Sequence, residues 1–263
     1  MDFDYKLEKM HTDALTLEYF HVPWDTEILE QPVAEIRHLE IREPEAAGRD
    51  FRAFTSWCGE HAITFSSCRI PHDQVIESMF LQAQGFRFIE LNYRPRMNKL
   101  QELELPDDEI TIEPAVDADR MLLAEMAGSV FQHGRFHQDP RLGVALGNRR
   151  YKTWLLNAFE MPQQKVLKCL LGSEIIAFFV VEYPEQDHCF WSLIGLAPGM
   201  QGKGLGKRVW RKMMRKHQQE GIETITTSIS SHNVAVLNLY VSLAFRFPVP
   251  DATFHWRSID AQS

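Results

Sequence analysis

Three glycines in five residues, Gly202, Gly204 and Gly206, stand directly before a basic segment in LAPGMQGKGLGKRVWRKMMRK, residues 196–216. Glycine lacks a Cβ, so its backbone N–H group can approach a ligand closely. The first turn of a helix presents such N–H groups together with a partial positive charge. Residues 201–216 carry seven Lys or Arg side chains and no acid, which adds long-range attraction. The combination predicts a site for an anionic group such as a phosphate.

Two common phosphate-binding motifs do not fit this stretch. A Walker A loop requires Gly-x-x-x-x-Gly-Lys-Ser/Thr, but Leu205 and Gly206 follow Gly204, so the hydroxyl that would hold magnesium is missing. The dinucleotide motif Gly-x-Gly-x-x-Gly also fails, because Lys207 occupies the position of the third glycine. What remains is Gln-x-x-Gly-x-Gly, which begins at Gln201, follows an apolar strand-like run and opens a basic helix.

This motif, with Pro198 before it, resembles the signature of the GNAT (GCN5-related N-acetyltransferase) family, and the resemblance extends over residues 109–258. It implies the GNAT fold, an α/β (α+β) fold with a mixed central β-sheet flanked by helices. It also implies acetyl-CoA as the acyl-donor substrate, with its pyrophosphate on the glycine loop. The residues implied to bind it are Ile194, Gly195 and Leu196 on the preceding strand, Gln201, Gly202, Lys203, Gly204, Leu205, Gly206 and Lys207 in the loop, and Asn233.

The same resemblance implies a catalytic role for Tyr240, in the segment HNVAVLNLYVSLAFRF. Its phenol would protonate the departing thiolate of coenzyme A. Residues seven apart share a helix face, so Asn233 and Tyr240 could both point at the donor. A backbone N–H near Ile194–Leu196 would stabilise the oxyanion. The alternative for Tyr240 is a core aromatic side chain on an amphipathic helix.

The loop FQHGRFHQDPRL, residues 131–142, is predicted to contact the acceptor through Arg135, Phe136 and His137; a solvent-exposed loop is the alternative. It resembles an Arg-Phe loop in the GNAT branch that acetylates dTDP-4-amino-4,6-dideoxygalactose (dTDP-fucosamine). The segment HVPWDTEILEQPVAEI keeps that branch's Pro-Trp-Asp-Thr-Glu at residues 23–27 and departs from it afterwards. The branch implies an amino-sugar nucleotide as one candidate acceptor.

Other polar residues give weaker signals. No general base is identified, because Glu182, Glu185 and His188 fit surface positions and a water chain would serve equally well. His133 and His137 form a His-x3-His pair around a glycine, but a metal site would need a helix and a third ligand. No metal is therefore expected. The four cysteines are scattered without a Cys-x-x-Cys pair, which argues against a disulfide framework or structural zinc.

Strand-like and helix-like runs alternate along the whole chain. Residues 106–263 are interpreted as the catalytic GNAT domain, and residues 1–105 as a degenerate half-GNAT-like domain of order β-α-β-α-β. An offset of 159 residues aligns Gly85-Phe86-Arg87-Phe88 with Ala244-Phe245-Arg246-Phe247 and suggests an internal repeat. The first copy lacks the glycine motif and has Leu81 at the position that corresponds to Tyr240. It is therefore expected to pack beside the second copy and to form one wall of the substrate pocket.

Bulk properties narrow the functional classes. The net charge of −8 argues against general nucleic-acid binding, and no apolar run approaches the roughly 20 residues of a membrane helix. The first residues resemble no signal peptide, so the cytoplasm is the expected location. We predict an N-acetyltransferase that transfers acetyl from acetyl-CoA to a primary amine of a small molecule in a ternary complex. The alternatives are a non-catalytic acyl-CoA-binding module and a protein-amine acetyltransferase; an exposed sheet edge could serve a homodimer.

Overall fold

A computed structural model describes residues 6–258 of the chain. These residues form two compact units. The first unit contains the residues up to Asn92 and those from Val249 onward, and the second contains Tyr93–Pro248. Both units alternate strands and helices, as the sequence predicts.

The first unit is built around a mixed sheet. Its elements are β1 (Glu8–His11), β2 (Leu15–His21), α1 (Pro23–Leu29), β3 (Val33–Ile41), α2 (Pro44–Asp50), α3 (Arg52–Glu60), β4 (Phe65–Pro71), α4 (Val75–Ala83), β5 (Arg87–Tyr93) and the chain's last strand, Asp251–Arg257. The last strand lies between β4 and β5 and runs antiparallel to both, whereas β3 and β4 run parallel. The apolar core joins sheet residues such as Cys68 and Phe254 to Phe54 of α3 and Leu81 of α4.

The second unit carries the glycine motif. Its elements are β6 (Arg96–Met97), β7 (Thr111–Pro114), α5 (Arg120–Val130), α6 (Arg135–Gln138), α7 (Val144–Ala158), β8 (Gln164–Leu171), β9 (Glu174–Glu185), β10 (His188–Leu196), α8 (Leu205–Gln219), β11 (Thr224–Thr227), β12 (Ile229–Ser230) and α9 (Val234–Ser242); the strand at Asp251–Arg257 is therefore β13. The sheet order is β6-β11-β10-β9-β8-β7. Strands β10 and β11 are parallel, and the other pairs are antiparallel.

Helices cover both faces of this sheet, so two apolar cores form. On one face Phe179 and Trp191 pack with Trp210 and Met213 of α8. On the other face, Phe178, Val180 and Leu193 pack with α5 and α7. This arrangement explains why the middle of β9, Ile176–Val181, is buried at every residue: a strand covered on both sides needs continuous apolar residues rather than alternation.

The division into units differs from the predicted boundary at residues 105/106. Met97 pairs with Ile225 of β11, and the backbone N–H of Leu100 donates to Glu223 O at 2.9 Å. The acidic segment after β5 is therefore packed into the second unit. The last strand, predicted to complete the catalytic domain, instead completes the sheet of the first unit, where Phe254 pairs with Cys68.

The structure also agrees with the offset of 159 residues. Helices α4 and α9 begin at residues 75 and 234 and end at residues 83 and 242, a difference of 159 at each end. Gly85 and Ala244, which follow them, both have positive φ, 85° and 61°. In place of the glycine motif, the first unit has a helix that starts at Pro44, with Glu43 as N-cap and Glu45 in its first turn. An acidic helix start repels phosphate; that this part binds no nucleotide stays a prediction.

Candidate functional site

The glycine loop connects the end of β10 to the start of α8. Gly202 and Gly204 have φ values of 73° and 75°, a left-handed conformation that residues with a Cβ rarely adopt. Gly206 is the second residue of α8, and a Cβ added there would contact Leu239 Cδ2 of α9 at 3.5 Å. The first two glycines therefore turn the chain, and the third lies at the contact between α8 and α9.

The first turn of α8 is open to an anion. Gly204 is the N-cap residue, and no side chain caps the helix, so its first N–H groups lack intrahelical partners. The first turn contains no acidic residue, and Lys203 and Lys207 flank its start. Unpaired N–H groups, the helix dipole and nearby cations all attract the same ligand, a phosphate group.

Most of the basic side chains on α8 are already neutralised. Four of the seven form ion pairs: Arg208 with Asp108 at 2.8 Å and Glu109 at 2.9 Å, Lys212 with Asp107 at 2.7 Å, Arg215 with Asp107 at 3.8 Å, and Lys216 with Glu220. The acidic segment 107–109 directly follows the predicted domain boundary at residues 105/106. Its carboxylates bind a helix 100 positions further along the chain.

Three basic side chains remain available to a ligand. Within residues 6–258, Lys203, Lys207 and Arg211 make no ion pair. Lys203 and Lys207 lie at the start of α8, and Arg211 lies one turn further along the helix. The expected attraction for a polyanion therefore rests on these three cations rather than on all seven.

A β-bulge shapes the end of β10. Trp191 pairs with Val181, but Leu193 pairs with Val180, so Ser192 is an extra residue on β10. The insertion reverses which side chains face which core. After the bulge, Ile194 and Leu196 pack on the α8 side with Trp191. Gly195 then lies on the α5 side.

Gly195 is required by close packing. A Cβ at this position would lie 2.6 Å from Phe178 Cε1 and 2.9 Å from Val130 Cγ2 at the end of α5. Because no side chain fits there, the end of α5 rests directly on the backbone of β10. Ile194, Gly195 and Leu196, the residues predicted to lie along the donor, thus form the exit of the strand that leads into the glycine loop.

Asn233 is the N-cap of α9, and its Oδ1 accepts a hydrogen bond from the backbone N–H of Val236 at 3.3 Å. The side chain therefore fixes the start of the helix that Gly206 contacts. Contact between Asn233 and the donor stays a prediction.

Tyr240 is buried, with 2% of its surface exposed. Its ring packs edge-on against Phe245, with centroids 4.8 Å apart, and against Trp210 of α8 at 6.4 Å. Burial raises the pKa of the phenol to about 12, and interactions with Trp210 and Thr227 partly offset this rise. The phenol is therefore protonated at neutral pH, and it is a weaker acid than an exposed tyrosine. The buried position of Tyr240 is compatible with a role as a core residue and with a role as the general acid. Its catalytic role stays a prediction.

The predicted acceptor loop is a short helix, α6, held against α7. Phe136 is buried, with the guanidinium groups of Arg135 and Arg150 5.2 Å and 5.1 Å from its ring centroid. His137 Nε2 is 2.9 Å from Asn148 Oδ1. The Phe136 ring and the His137 Nε2 therefore anchor α6, which the sequence interpretation treated as loop. Contact of Arg135, Phe136 or His137 with an acceptor stays a prediction.

The residues considered as the general base lie at the ends of β9 and β10 that are far from the glycine loop. His188 begins β10 and is seven residues from Gly195, or about 23 Å along an extended strand. Glu182 accepts a hydrogen bond from Gln164 Nε2 at 2.8 Å, and Glu185 pairs with His188 across the strands. None of the three is placed to act near the glycine loop.

The buried cysteines play no part in this site. All four are reduced and buried. Cys189 Sγ lies 3.5 Å from His217 Nε2, and His217 Nδ1 lies 3.1 Å from Glu220 Oε2, but burial raises the pKa of the Cys189 thiol, which disfavours a thiolate nucleophile. Among the described residues, no group of three or more His, Cys, Asp or Glu side chains could hold a metal ion. The described helices include none that is long and apolar enough to cross a bilayer.

The part of the chain that contains this site is similar to known proteins. Residues 132–245, which include α8 and α9, match the model of the Acetyltransferase (GNAT) family. A mycothiol acetyltransferase of Frankia casuarinae is 31% identical over 64 residues, which amount to 24% of this chain and 19% of that protein. The matched part is thus about a fifth of that relative's length.

Solved structures share the fold at low identity. A GCN5-related N-acetyltransferase from Sphaerobacter thermophilus superposes with a TM-score of 0.62 at 10% identity, covering 93% of this chain and 80% of that one. A tandem GNAT protein from the clavulanic acid biosynthesis pathway gives 0.58 at 11%, covering 96% and 83%. The predicted GNAT fold is confirmed. Neither these proteins nor the Frankia relative is described as a sugar-nucleotide acetyltransferase, so the narrower resemblance gains no support.

Proposed function

We propose that this protein is an N-acetyltransferase that moves an acetyl group from acetyl-CoA to the primary amine of a small molecule. The observation that carries the proposal is the start of α8, which follows two left-handed glycines and has no side-chain cap. Three cations without an ion pair within residues 6–258 lie there, Lys203 before the helix and Lys207 and Arg211 in its first two turns. The family match over residues 132–245 supports the same reaction class.

The donor would bind along one continuous path in the second unit. The N–H groups at the start of α8 would hold the pyrophosphate, with Lys203, Lys207 and Arg211 supplying charge. The pantetheine arm would lie along the exit of β10, at Ile194–Leu196, where its amides could pair with exposed backbone. This path brings the thioester to Gly195.

Transfer would occur directly between the two substrates. The amine attacks the thioester carbon, and a backbone N–H at Ile194–Leu196 stabilises the oxyanion that forms. As the C–S bond breaks, the Tyr240 hydroxyl donates its proton to the sulfur. Holding both reactants in one site supplies a large part of the rate advantage.

The acceptor is proposed to be a small amine, with an amino sugar or amino-sugar nucleotide as the leading candidate. The side of β10 that carries Gly195 is bordered by aromatic rings of α5 and α7: Phe131 and Tyr151 stack with centroids 4.3 Å apart, and Tyr151 and Trp154 with centroids 6.2 Å apart. Aromatic side chains commonly line pockets for small molecules. The match to a mycothiol acetyltransferase supports a small-molecule acceptor over a protein.

Release of free CoA from acetyl-CoA, followed with a thiol reagent, tests the proposal. The panel should include glucosamine, a dTDP-4-amino sugar, a simple alkylamine and a lysine-containing peptide. Preferential turnover of an amino sugar would support both the reaction and the acceptor class. Turnover of the peptide alone would favour protein acetylation, and binding of acetyl-CoA without turnover of any amine would favour a non-catalytic module.

A further inference from the structure

A histidine follows α5 in a loop that two contacts fix in place. Phe131 stacks on Tyr151 of α7, and a Cβ added to Gly134 would overlap the Tyr151 hydroxyl group. His133 lies between these two residues, and the contacts of Phe131 and Gly134 on either side of it both involve the Tyr151 side chain. Its position is therefore set by α7 rather than left to a free loop.

The same loop starts over the strand exit assigned to acyl transfer. Val130, the last residue of α5, would touch any Cβ at Gly195, and the Phe131 ring lies edge-on to Phe178, the partner of Gly195 on β9, at 6.3 Å. His133 is three residues beyond Val130. The loop that carries His133 therefore starts on the α5 side of β10, at the strand exit assigned to the thioester.

Two other histidines lie near enough to His133 to affect its pKa. His133 interacts electrostatically with His232 and with His137 of α6. His232 immediately precedes Asn233, the N-cap of α9. His133 is thus near both the acceptor helix α6 and the start of the helix that carries Tyr240.

We propose that His133 is the general base of the reaction. The inference rests on the proposed function and adds the residue that this function lacks. As the N–C bond forms, the imidazole nitrogen of His133 takes the proton that the attacking amine loses. Tyr240 then gives its own proton to the sulfur as the C–S bond breaks, and His133 returns a proton through solvent to the Tyr240 phenolate. The net products are the N-acetylated amine and CoA thiol.

The environment of His133 favours the neutral imidazole that a base requires. Burial lowers the pKa of His133 below its ordinary value, and electrostatic interactions with His232 and His137 lower it further. Within the described part of the chain its ring nitrogens make no hydrogen bond, so a lone pair is available. His137 differs, because Asn148 already engages its Nε2.

The test compares His133→Gln with the matched variant His232→Gln, using acetyl-CoA and the best amine of the panel, or glucosamine. In His133→Gln, kcat at pH 7 should fall about 100-fold, and added imidazole should restore part of the rate. The acidic limb of the kcat/KM profile that belongs to His133 should disappear, which leaves only the titration of the amine substrate. The affinity for acetyl-CoA should not change. His232→Gln should retain kcat and move the acidic limb to higher pH, because one positive charge beside His133 is gone.

Other results would overturn the assignment. A His133→Gln enzyme that keeps the acidic limb unchanged, or loses only acceptor affinity through a higher KM, excludes His133 as the base. A separate measurement needs no amine: NMR of histidine-labelled protein, with the His133 signal identified by its loss in His133→Gln. Acetyl-CoA should shift that signal differently from CoA; identical or absent shifts overturn the placement. Failure to turn over any amine counts against the proposed function and leaves this second result decisive for His133.

Discussion

Replacing Gly195 with alanine tests the packing at the exit of β10. The added Cβ would lie 2.6 Å from Phe178 Cε1 and 2.9 Å from Val130 Cγ2, whereas carbon atoms in van der Waals contact are about 3.5–4.0 Å apart. Phe178 is fully buried and cannot swing into solvent. Overpacking of this kind costs about 1–3 kcal/mol.

That cost predicts a lower melting temperature. At about 2–4 °C per kcal/mol for a chain of this size, Gly195→Ala should melt about 2–12 °C below the wild type in a scanning fluorescence or circular dichroism experiment. Affinity for acetyl-CoA should fall as well, because the strand exit or α5 must move to accommodate the methyl group. Calorimetric titration of the folded variant at low temperature measures this second effect.

Two variants control for the chemistry of the substitution. A Cβ at Gly59, in helix α3, meets no atom within 4 Å, so Gly59→Ala should melt at or above the wild-type temperature. Adding Val130→Ala to Gly195→Ala removes one of the two collisions and should recover part of the loss. A Gly195→Ala protein that melts with the wild type and binds acetyl-CoA equally well would refute the close-packing argument.

Three further predictions follow from the site. Lys207→Ala should weaken acetyl-CoA binding and reduce the dependence of the affinity on salt. Lys212→Ala removes a cation that is already paired with Asp107 and should change the affinity little. Equal effects of the two substitutions would contradict the distinction between paired and unpaired cations. Tyr240→Phe should lower kcat without changing acetyl-CoA affinity, and unchanged turnover would remove Tyr240 from the mechanism. Glu220 has a pKa lowered from 4.5 to about 2, chiefly by its hydrogen bond with His217 and then by Lys216, so its contribution to stability is present above pH 4.5 and lost as the pH falls toward 2. The melting difference between wild type and Glu220→Gln should therefore shrink over that range; a difference that grows there would be inconsistent.

The glycine loop was predictable because its causes are local. Left-handed φ at Gly202 and Gly204 depends on the residue type itself, and the uncapped helix start depends on its immediate neighbours. The same holds for α9, whose N-cap Asn233 lies where the sequence places a helix start. Features that depend on a few adjacent residues can be deduced without knowing the rest of the fold.

Features that depend on distant partners could not be deduced. The bulge at Ser192 can be recognised only from the pairing of β10 with β9. The sequence around Gly195 does not indicate that α5 packs against this residue. The ion pairs of Asp107 and Asp108 could not be predicted, because nothing near them in the sequence indicates that Arg208 and Lys212 bind them. The sequence pattern predicts a strand at the end of the chain but not the sheet that it joins, because alternation of apolar residues does not identify the neighbouring strand.

The acyl donor is proposed to bind at one helix start, that of α8. Calorimetric titration of the full chain with acetyl-CoA tests it most directly. One molecule should bind per chain, because the corresponding helix of the first unit begins with Glu43, Pro44 and Glu45 and repels phosphate. Absence of binding, or two molecules per chain, would contradict the account.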